Sequence, residues 1–252
     1  MSNEFSYFAR TLADASAGII KQYFRTGVGI DNKSDGSPVT IADRKSEEIM
    51  REMIQREFPD HGIIGEEFGE YQIDAEYVWV LDPIDGTKSF ITGTPLFGTL
   101  IGLLHHREPI LGVINHSVLN QFLIGTNGET RLNGEKVRVR PCQSIEQATV
   151  LASEHYHIEK YGSLSAYESL VRRAKLYRTW GDCYGYTLVA TGYADVMLDP
   201  IMNLWDLAAL IPVIEGAGGK ITDWRGGNPM TGLSTIATAG TIHDEVVRTL
   251  NS

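Results

Sequence analysis

Two cysteines in 252 residues, Cys142 and Cys183, are too few for a disulfide framework or a thiolate zinc site. They read as buried structural thiols of a protein kept in a reducing cytoplasm. No stretch approaches the roughly 18 apolar residues of a membrane span, and MSNEFSYFARTLADASAGII has no basic region followed by an unbroken apolar run. Lysine and arginine number 22 against 32 acidic residues and form no long run, so the formal charge of -10 disfavours both nucleic acid and anionic lipid as partners. The seven histidines offer no HExxH. A small-molecule partner is the remaining default, and 42% hydrophobic residues suffice for a substantial core.

Phe5, Phe8, Leu12, Ala15, Ile19 and Phe24 recur near the 3.6 period, so Glu4 to Phe24 is predicted as an amphipathic helix. Ser37-Pro38 breaks the next segment. Thr40 caps a second helix to about Phe58, with Ile41, Ile49, Met53 and Phe58 on its apolar side and Asp43 in its first turn. From Gly62 to Gly125 the short runs GIIG, YVWVL, FGTLIGLL, PILGVINHSV and QFLIG predict a sheet. Asn133-Gly134 signals a hairpin before KVRVR, a half-exposed strand whose Lys136, Arg138 and Arg140 are solvated. Beyond a connection at Pro141 to Ile145, strand and helix alternate through TVLAS, Ser165 to Arg173, KLYRT, Cys183 to Thr191, ADVML, LWDLAALIPVIEGAG and STIATAG. The order predicts a mixed α/β protein with two sheets layered between helices. Residues 1–252 form one unit, softly divided into 1–141 and 142–252.

The chemistry concentrates in WVLDPIDGTKSF. Asp82 and Asp85 flank Pro83, whose fixed φ and missing N–H favour a tight turn that aims both carboxylates to one side. Gly86 lets backbone approach a ligand, and the N–H groups of Gly86 and Thr87, opening a helix, form a seat for an anion. Glu66 and Glu67 follow the GIIG strand, and Asp206 opens the LWDLAAL helix, so further acids stand at element ends. Like charges in an apolar setting are costly unless they share a cation. An all-oxygen ligand set selects Mg²⁺ first and Mn²⁺ or Ca²⁺ after it. His155 and His157 would share a face on a strand, as surface or substrate-loop residues.

GEE at Gly65 to Glu67, LDPIDGTKSF at Leu81 to Phe90, and later LWDLAAL and EGAGG resemble the inositol monophosphatase superfamily of Mg²⁺-dependent, lithium-sensitive phosphatases. These motifs cover the chain from about Lys33 to Trp224. RTWGDCYGYTLVATGYADVMLDP resembles its histidinol-phosphatase branch, while Asp182-Cys183-Tyr184 and Lys88-Ser89 depart from the inositol branch. The resemblance implies a layered αβαβα sandwich assembled as a homodimer. It implies that Glu66, Asp82 and the Ile84 carbonyl hold one metal, that Asp82, Asp85 and Asp206 hold a second, and that Asp43 and Glu66 serve a weaker third. Thr87, hydrogen-bonded toward Asp43, would orient the attacking water, with Glu66 as its base, Asp206 on the leaving-group side, and Asp85, Gly86 and Thr87 about the phosphate.

Histidinol phosphate carries an ammonium and an imidazole, so its pocket calls for carboxylates beyond the metal cluster. Asp182 and Asp199 fall where the resemblance places the organic half of the substrate, and Arg178 either faces that pocket or pairs locally. An inositol-1-phosphatase or broad sugar phosphatase is the alternative of the same chemistry. A non-catalytic regulatory binding protein is the alternative of another class, and the full set Glu66, Asp82, Asp85, Thr87 and Asp206 opposes it.

Overall fold

The computed structural model describes residues 3–27, 30–32, 38–126 and 128–252. The first half of the chain runs α1 (Asn3–Tyr23), β1 (Ile30–Asn32), β2 (Pro38–Thr40), α2 (Ile41–Glu57), β3 (Gly62–Gly65), β4 (Gly69–Tyr71), β5 (Tyr77–Asp85), α3 (Thr87–Ile91), β6 (Gly98–His105), β7 (Glu108–His116), β8 (Gln121–Thr126), β9 (Thr130–Leu132) and β10 (Glu135–Val137). The second half adds β11 (Thr149–Ala152), α4 (His155–Tyr161), α5 (Leu164–Arg173), β12 (Leu176–Arg178), α6 (Asp182–Ala190), β13 (Val196–Asp199), α7 (Leu204–Gly216), β14 (Lys220–Thr222), α8 (Pro229–Gly232), β15 (Thr235–Thr238) and α9 (His243–Leu250). Ser37, the expected break before α2, lies outside the described residues. Among the described residues no helix is long and apolar enough to cross a membrane.

Strand alternation decides the layering, because successive side chains of one strand serve opposite faces. In β5, Trp79 and Leu81 pack with Phe8, Leu12, Met50 and Ile54 of α1 and α2, whereas Val78 and Val80 meet Ala208 of α7. The first sheet has the order β10-β9-β8-β7-β6-β5-β3-β4, antiparallel except where β3 lies parallel to β5. The second has the order β12-β11-β13-β15-β14, with β11 parallel to both β12 and β13. Between the sheets, α6 and α7 bury Tyr186, Val189, Leu207, Leu210 and Ile214 against Leu100, Ile114, Leu151 and Met197. Outside the second sheet, Tyr167 and Leu170 of α5 and Val246 and Leu250 of α9 cover Val150, Val196 and Ile236. The result is the expected αβαβα sandwich, whose middle core draws on both sides of residue 142.

Helix α7 sits very close to the first sheet because three adjacent strands present glycine beneath it. A Cβ at Gly112 would lie 1.9 Å from the Ala209 carbonyl oxygen, one at Gly125 2.4 Å from Val213 Cα, and one at Gly102 2.8 Å from Ala208 Cβ. The contacts at Gly112 and Gly125 are with backbone, so the helix itself would have to move. Gly112→Ala is expected to cost about 3 kcal/mol, read as a lowered urea midpoint. An unchanged midpoint would show that the seating of α7 is loose.

Four local expectations need correction. The fully buried face of α2 is Ala42, Asp43, Ser46, Glu47, Met50 and Ile54, and Ile49, Met53 and Phe58 pack half-buried against the same core as expected, but Ile41 at the helix start is 46% exposed. Asp82 to Asp85 is not a free tight turn but the bulged end of β5. Asp82 faces Leu100 and Asp85 faces Gly98, so three steps on β5 match two on β6. Pro83 is tolerated there because a bulge asks for no ladder N–H, and the Thr99 hydroxyl donates to its carbonyl at 2.9 Å. Only Glu135–Val137 of the KVRVR region is strand, and Arg140 is ion-paired with the buried Asp195 rather than simply solvated. His155 and His157 stand in the first turn of α4, not on a strand.

Candidate active site

Elements from both halves end at one cleft of roughly 530 Å³. Glu66, Asp85, Gly86, Thr87, Asp182, Asp199 and Asp206 all line it. The bulge ends β5, Gly86 adopts φ 87, and α3 starts at Thr87. The first intrahelical bond runs from the Phe90 N–H to the Gly86 carbonyl, so the N–H groups before Phe90 have no partner within the helix. Those amides give the cleft an electropositive backbone edge beside its acids.

Asp82, Asp85 and Asp206 each offer an oxygen within 4.8 Å of the others. Asp82 Oδ1 accepts from the Ile84 N–H at 3.0 Å, and Asp85 Oδ2 accepts from the Cys183 N–H, joining the end of β5 to the start of α6. Asp206 is the third residue of α7 and accepts the Asn203 N–H at 2.7 Å, closing a capping box. Asp43 holds the equivalent place in α2, where its Oδ2 accepts from both the Thr40 N–H at 2.9 Å and the Thr40 hydroxyl at 2.6 Å. Thr87 therefore does not bond to Asp43 as expected. Its hydroxyl donates to the Ile84 carbonyl at 3.1 Å, because the capping box already occupies Asp43.

Burial sets the charge state of these acids. It pushes Asp82 well above the ordinary carboxylate range, reinforced by Glu66, Asp85 and Asp206. Burial does the same to Asp85, with Asp182 and Asp206 adding to it, and raises Asp206 to about 7. Asp43 is raised for the same first reason. Acids held this way become fully ionised at neutral pH only when a cation shares their field. The donor set, all oxygen and with no sulfur or imidazole, fits a hard divalent ion.

Farther along the cleft, Asp182 heads α6 with φ 49, its N–H donating to Ser153 Oγ at 2.8 Å and its carboxylate 3.4 Å from Ser89 Oγ. Asp199 at the end of β13 is 8% exposed, accepts the Tyr186 hydroxyl at 2.8 Å, and is raised by burial to about 7. Arg178 does not join them. Exposed, it folds back on the Tyr177 carbonyl at 2.7 Å and lies over Trp180.

Residues that sequence reasoning left without a role also shape the site. Lys88 and Glu154 form an ion pair of 2.5 Å across the cleft mouth, with His157 Nε2 3.8 Å from Glu154. Glu47, fully buried, accepts from the Glu67 N–H at 2.7 Å and the Phe68 N–H at 3.1 Å while paired with Arg51. It anchors the turn that presents Glu66. The only hint in the sequence was the four-residue spacing of Glu47 and Arg51, which any exposed helix can show.

This fold and this acid-lined cleft agree with what known proteins reveal. The model of the inositol monophosphatase family matches residues 1–252, and the chain belongs to that family. It is 45% identical over 240 residues to the bifunctional phosphatase IMPL2, chloroplastic, of Arabidopsis thaliana, covering 94% of this chain and 69% of that one. It is 41% identical over 220 residues to a histidinol-phosphatase of Chlorobaculum parvum, covering 86% and 85% respectively. A solved inositol monophosphatase from Zymomonas mobilis has a TM-score of 0.89 at 34% identity across all of both chains. The protein is a phosphoric monoester hydrolase.

Proposed function

We propose that the chain is a Mg²⁺-dependent histidinol-phosphatase, releasing phosphate from histidinol phosphate by direct attack of water at phosphorus. The observation that carries the substrate assignment is the pair Asp182 and Asp199, carboxylates lining the cleft beside the acid cluster, where a substrate ammonium needs a counter-charge. Relatives named histidinol-phosphatase support the same choice.

In this reading Glu66, Asp82, Asp85, Asp206 and the Ile84 carbonyl hold the metal. Bound Mg²⁺ supplies charge neutralisation for the phosphoryl oxygens and a lowered pKa for water. Glu66 takes the proton of the attacking water, and Thr87 orients that water while tethered to the Ile84 carbonyl. Asp206 orders the water that protonates the departing alkoxide. The free N–H groups at the start of α3 receive phosphate oxygens. Asp43 fixes the start of α2 and adds negative potential for a further, weaker ion. Mn²⁺ would substitute for Mg²⁺ in the same oxygen set.

The test is a phosphate-release panel with histidinol phosphate, inositol 1-phosphate and a small aryl phosphate, with and without Mg²⁺ and Li⁺. A kcat/KM ranking led by inositol 1-phosphate would move the assignment to an inositol monophosphatase. No Mg²⁺-dependent release on any substrate would point to a non-catalytic binding protein. Asp182→Asn and Asp199→Asn are each expected to raise KM for histidinol phosphate about 30-fold or more while changing aryl phosphate hydrolysis little. Asparagine suits both positions, since it tolerates the left-handed backbone at Asp182 and can still accept the Tyr186 hydroxyl at position 199. Equal losses on both substrates would remove the ammonium argument. The same reading includes a homodimer, which light scattering would test, and a cytoplasmic location, in keeping with two buried free thiols.

A further inference from the structure

At the opposite end of β5 from the acid cluster, we infer that Glu76, His105 and His106 form a second metal site, one selective for a borderline transition dication such as Zn²⁺. One ligand atom from each lies within 4.8 Å of the others, and His105 Nε2 is 3.0 Å from Glu76 Oε1. That separation is close to the roughly 3.3 Å between neighbouring ligands of a tetrahedral zinc centre with bonds near 2.0 Å.

Successive residues of a strand point to opposite faces, so His105 and His106 would ordinarily diverge. The hairpin between β6 and β7 prevents this. His105 pairs with Glu108, leaving His106-Arg107 as a two-residue turn with φ values of 50 and 70, both left-handed. Asn-Gly is the usual occupant of such a turn, and two side-chain-bearing residues there are strained. The turn brings the two imidazole centroids to 4.3 Å. The His106 N–H also donates to the Glu76 carbonyl at 2.9 Å, holding the turn over the start of β5. Tyr77 stacks on His105 at 4.6 Å and fixes its ring, while Arg107 is drawn aside to Asp74 at 3.2 Å.

Two imidazoles and one carboxylate leave a fourth position for water, the ligand set of zinc rather than magnesium. Only Tyr77 to Leu81 of β5 lie between Glu76 and Asp82, so about 20 Å of extended strand separates this site from the oxygen cluster. The two ends of one strand thus select different metals.

The experiment titrates Co²⁺, as a spectroscopic stand-in for Zn²⁺, into full-length protein held in excess Mg²⁺. The expected result is one equivalent bound with the intense visible bands of a four-coordinate nitrogen-containing site, displaced by Zn²⁺. His106→Asn, which keeps a residue at ease in the left-handed turn, should weaken binding about tenfold or more and leave Mg²⁺-dependent phosphate release unchanged. Asp85→Asn should leave the Co²⁺ spectrum intact, whether or not the proposed phosphatase substrate is right. No binding by the wild-type protein, binding that persists in His106→Asn, or binding lost in Asp85→Asn would each overturn the assignment.

Discussion

Asp85→Asn is expected to lower Mg²⁺-dependent phosphate release by about a thousandfold or more on every substrate, a loss near 4 kcal/mol in transition-state stabilisation. Asparagine keeps the shape of the side chain and can still accept the Cys183 N–H, so the link from β5 to α6 survives. It cannot supply charge to a cation shared with Asp82 and Asp206. Removing one of three crowded acids also relieves their repulsion, so the metal-free variant should melt higher than the metal-free wild type. An active Asp85→Asn would sink the metal assignment. An inactive variant that melts lower would signal damage to the fold instead, and the two readings separate in one calorimetric and one kinetic measurement.

Metal-free protein is expected to lose stability as pH rises from about 5 to about 7, and divalent cation is expected to restore it. Asp206 and Asp199 are raised to about 7 in the fold from an ordinary 3.8, and Asp82 and Asp85 are raised well above theirs in the same direction. A group whose folded pKa is raised binds its proton more tightly in the native state than in the unfolded chain. Its contribution is therefore fully present at low pH and lost as pH climbs through the folded value. Between the ordinary 3.8 and the folded value each such group costs up to about 1.4 kcal/mol per pH unit, so a fall in Tm of about 5 °C or more is expected over the window. His116 and His243, buried and lowered to about 4, act in the other direction below about 6.5, but these two groups offset only part of what the four raised acids lose. Millimolar Mg²⁺ should flatten the profile by binding the ionised native cluster alone. A flat metal-free profile, or one that Mg²⁺ leaves untouched, would show that these acids do not share a cation.

Legibility in the sequence followed the range of the interactions. Thr40 and the amphipathic stripe of α1 announced themselves because capping and helical periodicity are local. Asp82 and Asp85 stood out because proline and glycine around them restrict the backbone, although the restriction makes a bulge on β5 rather than a turn. Ile49, Met53 and Phe58 of α2 were legible as core contacts, but the inward Asp43 and Glu47 were not, because hydrophobicity cannot register an acid turned toward a hydrogen-bond partner. Glu47 is the clearest case: its worth lies in holding the backbone at Glu67 and Phe68, about twenty residues away. Arg178 and Glu154 exchanged expected importance for the same reason, since only packing decides which of two nearby charges faces a cleft.

Asp43 and Asp206 each complete the first turn of a long helix with one carboxylate oxygen, and Asp206 also lines the cleft. At Asp206 the scaffold and the cleft therefore share one side chain. A descendant that had abandoned hydrolysis would still favour aspartate at 43 and 206, in the first turns of α2 and α7, whereas at 82 and 85 asparagine could accept the Ile84 and Cys183 N–H groups equally well. When kin of this chain are sorted into working enzymes and inert copies, the pair at the end of β5 is the informative one, and the helix-opening pair says little.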